Sequence, residues 1–487
     1  GASASRRCCG RPGRGTVCSA CSTGRSGARR GGPVMRELGG HVSKNAGTQM
    51  LARKAYQSLQ AWGESASKKA LLVKGARQVG KSFLVEAFSR GTFENVIIFD
   101  LVDDVAARRP FNQAVGTDDL LLRMSVVART PLVPHKTVVV IDEVQEAPNV
   151  LTFIKYLVQQ GDYSYILAGL LLGVKPENID SLPVGDLTQV ELHPLDFEEY
   201  RWACGLSASV FDMARECLSE ERALPDFLYA HLLDLFHRYL MVGGMPDAVN
   251  TFVASSNIDE VRRIHRDLHS LYRSDITKYA PRGLRLVIRD IYGLIPSEVA
   301  SKRRRFRLSD SKGVSRFSQV ENHFLWLTQA GVALSVYGVA APVRPLLVSE
   351  WRNRLKLFYL DAGMLASSYP KSAYAGLLDG RASMSMGSVY EAAVAQELKA
   401  QGRALRYFSS KKVGELDFVV ERADGSIDAL EVKSGPSCLT HAALNNALAT
   451  RSYDIDRACV LAETNIRREG NILYVPVFLA GVLAPEG

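Results

Sequence analysis

Eight consecutive residues, Gly75-Ala76-Arg77-Gln78-Val79-Gly80-Lys81-Ser82, fit the pattern G-x-x-x-x-G-K-[ST] in full. Glycines allow the tight turn and close approach that a Cβ would block. Successive backbone N–H groups then point inward, and the N-terminus of a following helix adds its positive end toward phosphate. At this spacing Lys81 reaches the β- and γ-phosphates and the Ser82 hydroxyl carries Mg²⁺. Further along, the apolar run Thr137-Val-Val-Val-Ile141 ends in Asp142-Glu143. Asp142 is placed to hold Mg²⁺ through its waters, and Glu143 to polarise an attacking water. The two patterns in this order predict a site for ATP–Mg²⁺.

A second set of acids lies near the C-terminus. Glu391 falls on an expected helix, Val389 to Ala400. Glu415-Leu416-Asp417-Phe-Val-Val reads as a strand, Ala423-Asp-Gly-Ser426 as a turn, and Ile427-Asp-Ala-Leu-Glu431-Val-Lys433 as the returning strand. An acid followed by E-x-K on the partner strand is the arrangement of PD-(D/E)xK nucleases. In that chemistry Asp417 and Glu431 hold one or two Mg²⁺ ions, Lys433 orients or activates water, and Glu391 completes the shell. The bland alternative is a set of solvated carboxylates with one salt bridge. Strand alternation supplies a check. If facing residue numbers sum to 850, Asp417 opposes Lys433 and Val419 opposes Glu431, all on one face. That register needs a three-residue loop, Asp424-Gly425-Ser426; a two-residue loop puts Asp417 on the other face.

The elements that must position these residues follow from apolar spacing. Residues 51–62 have helical periodicity; Ala70–Lys74 and Asn95–Leu101 read as short buried strands, and Thr137–Ile141, Ser164–Leu167 and Leu187–Leu192 as a third, fourth and fifth strand. Helices are expected near Lys81–Arg90, Leu120–Ala128 and Val150–Gln160. Apolar strands alternating with helices indicate a doubly wound α/β domain with a parallel sheet, over residues 50–200. Residues 201–285 read as a helical lid, with a stop and turn at Met241-Val-Gly-Gly-Met-Pro246. Residues 286–370 read as a winged-helix-like segment and 371–487 as a small α/β, nuclease-like domain.

Lys302-Arg-Arg-Arg-Phe-Arg307 packs five cations into six residues ahead of an amphipathic helix, Phe317–Gly331. A turn, a second helix and a strand pair after it would make a winged helix-turn-helix. The arginines then either contact DNA phosphates or form a solvated face on an interdomain spacer.

From about residue 50 onward the chain resembles the AAA+-like P-loop ATPases of bacteria and archaea that carry a C-terminal restriction-endonuclease-like domain. The resemblance rests on Gly75–Ser82, Ile141-Asp-Glu-Val-Gln145, His193-Pro-Leu-Asp-Phe-Glu-Glu199, Gly243-Gly-Met-Pro246 and Leu355-Lys-Leu-Phe-Tyr-Leu-Asp-Ala-Gly363. It implies the ATPase, lid, winged-helix and nuclease-like parts in that order. The chain departs from these relatives after Leu167: leucine stands at 170 where they show serine, and Pro183-Val-Gly-Asp186 replaces a Gly-Arg. Binding needs neither feature, whereas rapid hydrolysis does, so the expectation is a slow ATPase or nucleotide switch that directs a nuclease-like domain to DNA. The alternative is a nucleotide-dependent regulatory or scaffold protein whose C-terminal domain binds without cleaving.

Composition limits the class. Of 487 residues 47% are apolar and 23% charged, which is a globular balance. The net charge of +9 is concentrated in residues 1–49, which hold nine basic side chains and one acid. The remainder has 51 basic and 50 acidic residues, so any nucleic-acid footprint is a local patch. The tail also holds Cys8, Cys9, Cys18, Cys21 and 11 glycines. It is read as a disordered basic segment, or a translated upstream region with Met35 or Met50 as the start, rather than as a zinc knuckle. Cys204, Cys217, Cys438 and Cys459 are expected to be buried thiols. No apolar run approaches the roughly 20 residues of a membrane span, and the expected compartment is the cytosol.

Overall fold

Four short apolar runs, each bounded by polar residues or glycine, and a more polar fifth strand form the first sheet. In the computed structural model, which describes residues 51–65, 69–169, 184–301, 321–378, 386–435 and 440–483, these are β1 (Ala70–Lys74), β2 (Asn95–Asp100), β3 (Thr137–Asp142), β4 (Ser164–Gly169) and β5 (Leu187–Glu191). All run parallel in the order β2-β3-β4-β1-β5. The accompanying helices are α1 (Ala55–Glu64), α2 (Lys81–Thr92), α3 (Val105–Asn112), α4 (Thr117–Val127) and α5 (Pro148–Gln160). On β1, Leu71 and Val73 join one core with Leu59 and Phe88, while Ala70 and Leu72 join another with Phe111 and Leu157. Burial on both faces is why β1, β3 and β4 are almost wholly apolar, whereas the edge strand β5, Leu-Thr-Gln-Val-Glu, is only partly buried. The doubly wound reading holds. Residues 1–50, Leu170 with its neighbours to 183, the basic run Lys302–Arg307 and Cys438 lie outside the described residues.

The expected helical stretch contains α6 (Phe197–Ala203), α7 (Ala208–Ser219), α8 (Asp226–Val242), α9 (Pro246–Ser255) and α10 (Ile258–Tyr279). After α11 (Arg285–Ala300) and α12 (Glu321–Gln329) come β6 (Ala333–Val339) and β7 (Glu350–Tyr359), an antiparallel pair. The helix expected between Gly331 and this pair is not there: α12 ends and β6 begins at Ala333. Nor is the pair a free wing. Past α13 (Ala362–Ser367), α14 (Lys371–Leu378) and α15 (Gly387–Ala400), strand β8 (Arg406–Ser410) pairs in parallel with β6. The hairpin thus belongs to a four-stranded sheet, β7-β6-β8-β9, with β9 at Gly414–Leu416.

The strand expected over Glu415–Val420 is broken at Asp417. Its first part is β9, paired with β8; its second is β10 (Phe418–Glu421), paired with β11 (Ile427–Val432) in a different sheet. Asp417 Oδ2 accepts the Val432 N–H at 2.9 Å, so a side chain replaces a ladder bond where the chain changes sheets. The hairpin register is also corrected. Val419 faces Ala429 and Glu421 faces Ile427, two residues away from the expected alignment. The loop is Ala423-Asp424-Gly425, with Gly425 in the left-handed region at φ 81° and the Arg422 N–H bonded to Ser426 O at 2.9 Å. A three-residue loop keeps the expected parity, but Asp417 lies outside β10, in the link between the two sheets. Then α16 (Ala442–Leu448), β12 (Arg457–Ala462), β13 (Arg467–Glu469) and β14 (Ile472–Pro476) complete the second five-stranded sheet, β10-β11-β12-β14-β13.

A buried polar junction joins these parts. Asp361 Oδ2 accepts the Gly244 N–H at 2.6 Å and Oδ1 the Met364 N–H at 2.9 Å. Gln396 on α15 accepts the Ala362 N–H at 2.9 Å and donates to Leu195 O at 3.2 Å. Glu397 Oε1 accepts the Phe197 N–H at 2.7 Å, and Leu195 and Gly244 are bonded through their backbones. The approach at Gly244 is so close that a Cβ there would lie 1.9 Å from Leu195 O. Gly244→Ala is expected to destabilise the protein by about 3 kcal/mol or more, because backbone must move on both sides; a thermal midpoint equal to wild type would contradict the close packing. Burial pushes the Glu397 carboxyl from 4.5 up to about 8, with Asp196 adding to the rise. The folded chain therefore keeps a proton that the unfolded chain releases. That stability is complete below pH 4.5 and is lost as pH rises toward 8. Glu397→Gln should accordingly gain in thermal midpoint relative to wild type as pH rises through this window; a difference independent of pH would show that the carboxyl titrates normally.

Candidate functional site

The phosphate-binding pattern occupies the turn between β1 and α2, at the carboxyl edge of the parallel sheet, where ligands bind open α/β sheets. Gly80 caps α2 in the left-handed region, at φ 92°, with no side-chain capping hydrogen bond at the helix N-terminus. Lys81 is buried, 5% exposed, and its Nζ donates to Gly75 O at 3.1 Å and Ala76 O at 2.8 Å. Burial lowers its pKa, against the pull of Glu143 and Asp142. Ser82 is exposed at the mouth of the cleft, which Arg53, Arg77, Gln78 and Glu143 also line. Val79 is a core residue.

Asp142 ends β3, two strands from β1 across β4. Its Oδ1 accepts the Glu143 N–H at 2.9 Å, while Gln145 Nε2 donates to Glu143 Oε2. Glu143 has φ 50°, a conformation uncommon outside glycine, asparagine and aspartate. A strained backbone that aims a carboxylate into a cleft beside a buried lysine suits a water-polarising role. An open helix N-terminus, a cation within the loop, a hydroxyl at the mouth and two acids opposite form a donor set that fits a polyphosphate with Mg²⁺. Lys81, Ser82 and Asp142 would hold these, the metal supplying charge neutralisation at the phosphates.

Two partners of the loop carry no sequence motif. Arg77 pairs with Asp275 on α10 at 2.9 Å, and the Tyr272 hydroxyl on the same helix donates to Arg77 O at 2.9 Å. Arg53, 9% exposed, donates to Val79 O at 2.9 Å and to Glu199 at 3.1 Å, and also bonds His193 O. The loop is thus gripped by α10 on one side and by the His193–Glu199 stretch on the other.

At the C-terminal acids, Glu391, Asp417 and Glu431 are 2%, 6% and 5% exposed, which removes the solvated-carboxylate reading. Glu431 pairs with Lys433 at 2.6 Å, and its pKa is raised by burial with Lys433 opposing. The sequence did not point to Lys356 of β7, which reaches Glu415, Glu391 and Asp417 at 2.8, 3.7 and 3.8 Å. A lone lysine in the apolar run Leu355–Tyr359 was the available signal. Among the cysteines, Cys217 and Cys459 are buried thiols as expected, while Cys204 is only half-buried.

Comparison with known families bears on the first of these sites. The model of the family described as "AAA domain" matches residues 67–201, from ahead of β1 into α6. This stretch is an AAA+-type P-loop domain. The chain therefore carries an ATPase-type nucleotide-binding domain, of a class that uses nucleotide and typically Mg²⁺. Two further families, each described as a domain of unknown function, match residues 233–373 (DUF8612) and 386–478 (DUF4143). No curated protein matches the chain. Of the solved structures, the Saccharomyces cerevisiae Hsp104–ADP complex is 15% identical, with a TM-score of 0.26 over 73% of this chain and 43% of that one. The Thermotoga maritima RuvB Holliday junction branch migration motor is 14% identical, at 0.27 over 58% and 89%. Caenorhabditis elegans PCH-2 is 11% identical, at 0.20 over 33% and 47%. The chain spans less than half the length of the Hsp104 chain it matches, and likeness at these scores carries no argument about function. No helix among the described residues is long and apolar enough to cross a membrane.

Lys81→Ala is expected to weaken binding of a fluorescent ATP analogue by roughly 30-fold or more, the cost of removing one partner of a buried charge pair. Titration of both proteins checks this; equal affinities would place the nucleotide elsewhere.

Proposed function

We propose that this chain is a slow ATPase of the AAA+ class that works as a nucleotide switch, passing the state of its P-loop to a nuclease-like C-terminal domain that engages DNA. The observation that carries the coupling is the buried Arg53, which holds the P-loop carbonyl of Val79 and the Glu199 carboxylate together. Glu199 closes a capping box with Asp196 at the start of α6. The adjoining Leu195 and Phe197 are bonded to Gln396 and Glu397 of α15. The same α15 carries Glu391 into the C-terminal carboxylate cluster. A change in the loop on binding phosphates has a continuous set of packed, hydrogen-bonded groups through which to act. The DNA partner rests on the cation chemistry of Lys302–Arg307 and the carboxylate order of the C-terminal domain.

Within this reading, Lys81 holds the phosphates, and Ser82 and Asp142 would hold the metal. Glu143, oriented by Gln145, draws the proton side of a water toward itself and leaves its oxygen directed at the γ-phosphate. One observation favours a C-terminal domain that binds without cutting: the buried Lys356 ammonium among Glu391, Glu415 and Asp417.

Glu143→Gln is expected to retain nucleotide affinity while losing at least about 100-fold in turnover, as for a general base. Phosphate release from wild type no faster than from this variant would reduce the assignment to binding alone. Incubation with single- and double-stranded DNA in Mg²⁺ or Mn²⁺ is expected to leave both intact. Cleavage abolished by both Asp417→Ala and Lys433→Ala would replace the binding module with a nuclease.

A further inference from the structure

The chemistry of a two-carboxylate nuclease requires a divalent ion in contact with its oxygens, at about 2.0–2.6 Å for Mg²⁺ or Ca²⁺. The residues present do not fit such an ion. Among the described residues no three histidine, cysteine or acidic side chains are grouped so as to hold a metal. The space between Glu391 of α15, Glu415 of β9 and Asp417 of the sheet-changing link is taken by Lys356, whose side chain is 1% exposed. Its Nζ is 2.8 Å from Glu415 Oε1, 3.7 Å from Glu391 Oε2 and 3.8 Å from Asp417 Oδ1, and lies 5.0 Å from the centre of the Tyr407 ring. The other Asp417 oxygen is engaged by the Val432 N–H. Glu431 is turned to Lys433 at 2.6 Å.

The source of this lysine matters as much as its position. It comes from β7, on the segment ahead of residue 371, and reaches the carboxylates because β6 joins β7 to β8 in one sheet. A cation supplied by the neighbouring hairpin is permanent and fixed in number, where a bound metal exchanges with solvent. Buried carboxylates at these separations repel one another unless a positive charge stands among them. An ammonium is a compact point charge, and this one stands within ion-pair range of carboxylates arriving from three elements.

We propose that Lys356 is the resident cation of this site: a tethered ammonium in the place where a nuclease-like fold would take a divalent metal, making the C-terminal domain metal-independent. The proposal does not rest on the ATPase reading and survives if the P-loop assignment fails.

The test is Mn²⁺ binding to the full chain without nucleotide, read by the spectroscopic signal of free Mn²⁺ and by the thermal midpoint in EDTA and in excess Mn²⁺. Wild type and Asp417→Asn are expected to bind the same number of ions. Lys356→Met, which keeps length and removes charge, is expected to melt lower than wild type in EDTA and to gain one Mn²⁺ site. Its midpoint should rise by roughly 2–5 °C in excess Mn²⁺, and the rise should vanish when Asp417→Asn is added. Loss of one Mn²⁺ site in Asp417→Asn relative to wild type would overturn the proposal, as would a Lys356→Met protein indifferent to Mn²⁺. If Lys356→Met does not fold, the comparison of wild type with Asp417→Asn decides alone, and Lys356→Arg, which keeps the charge, should match wild type.

Discussion

A buried carboxylate that accepts backbone N–H groups from separate parts of a chain fixes those parts relative to each other. Asp361 is such a group: it is fully buried, and its oxygens hold the turn between α8 and α9 and the first turn of α13. Burial raises its carboxyl to about 6, with the bonded N–H groups of Gly244 and Met364 restraining the rise. Around it lie Leu195, Tyr239, Gln396 and Glu397, bonded to one another and to the same backbone. Few of these groups have any alternative partner at this depth, so displacing one leaves several unsatisfied. The stretches His193–Glu199, Gly243–Pro246 and Leu355–Gly363, far apart in the chain, are three sides of this one junction.

That convergence explains the part of the molecule that was hardest to read. The P-loop sheet was legible because its central strands β3, β4 and β1 are apolar on both faces and its motifs fall at strand ends. The helical stretch was legible from spacing and from the turn at Gly243. By contrast α3 is short and contains Pro110; its start depends on the Asp104 side chain rather than on periodicity. The pairing of β6 with β8 joins residues separated by three helices, and no local pattern records a partner that distant. In the C-terminal hairpin the parity of the facing residues was readable from the alternation, whereas the register depended on which residue Gly425 leaves to close the loop.

The sites divide in the same way. Gly75–Ser82 and Asp142–Glu143 are contiguous and carry their chemistry in their types. Arg53, Tyr272 and Asp275 act on the loop from other elements, and each is an ordinary helix-flanking or helical residue in the sequence. Glu391, Asp417 and Glu431 were read as metal ligands and Lys433 as the group that orients water, but the fold brings in Lys356 as well. The acids were legible, and the charge that balances three of the neighbouring carboxylates was not. A single cation changes the chemistry assigned to the group.

The proposed coupling runs from the P-loop through the polar junction to α15. Hydrogen–deuterium exchange with and without a non-hydrolysable ATP analogue and Mg²⁺ tests this most directly. Altered exchange is expected in residues 361–367 and 387–400 as well as around 75–82, with both distant changes lost in Arg53→Ala under saturating nucleotide. Changes confined to the loop and to residues 142–146 would contradict it.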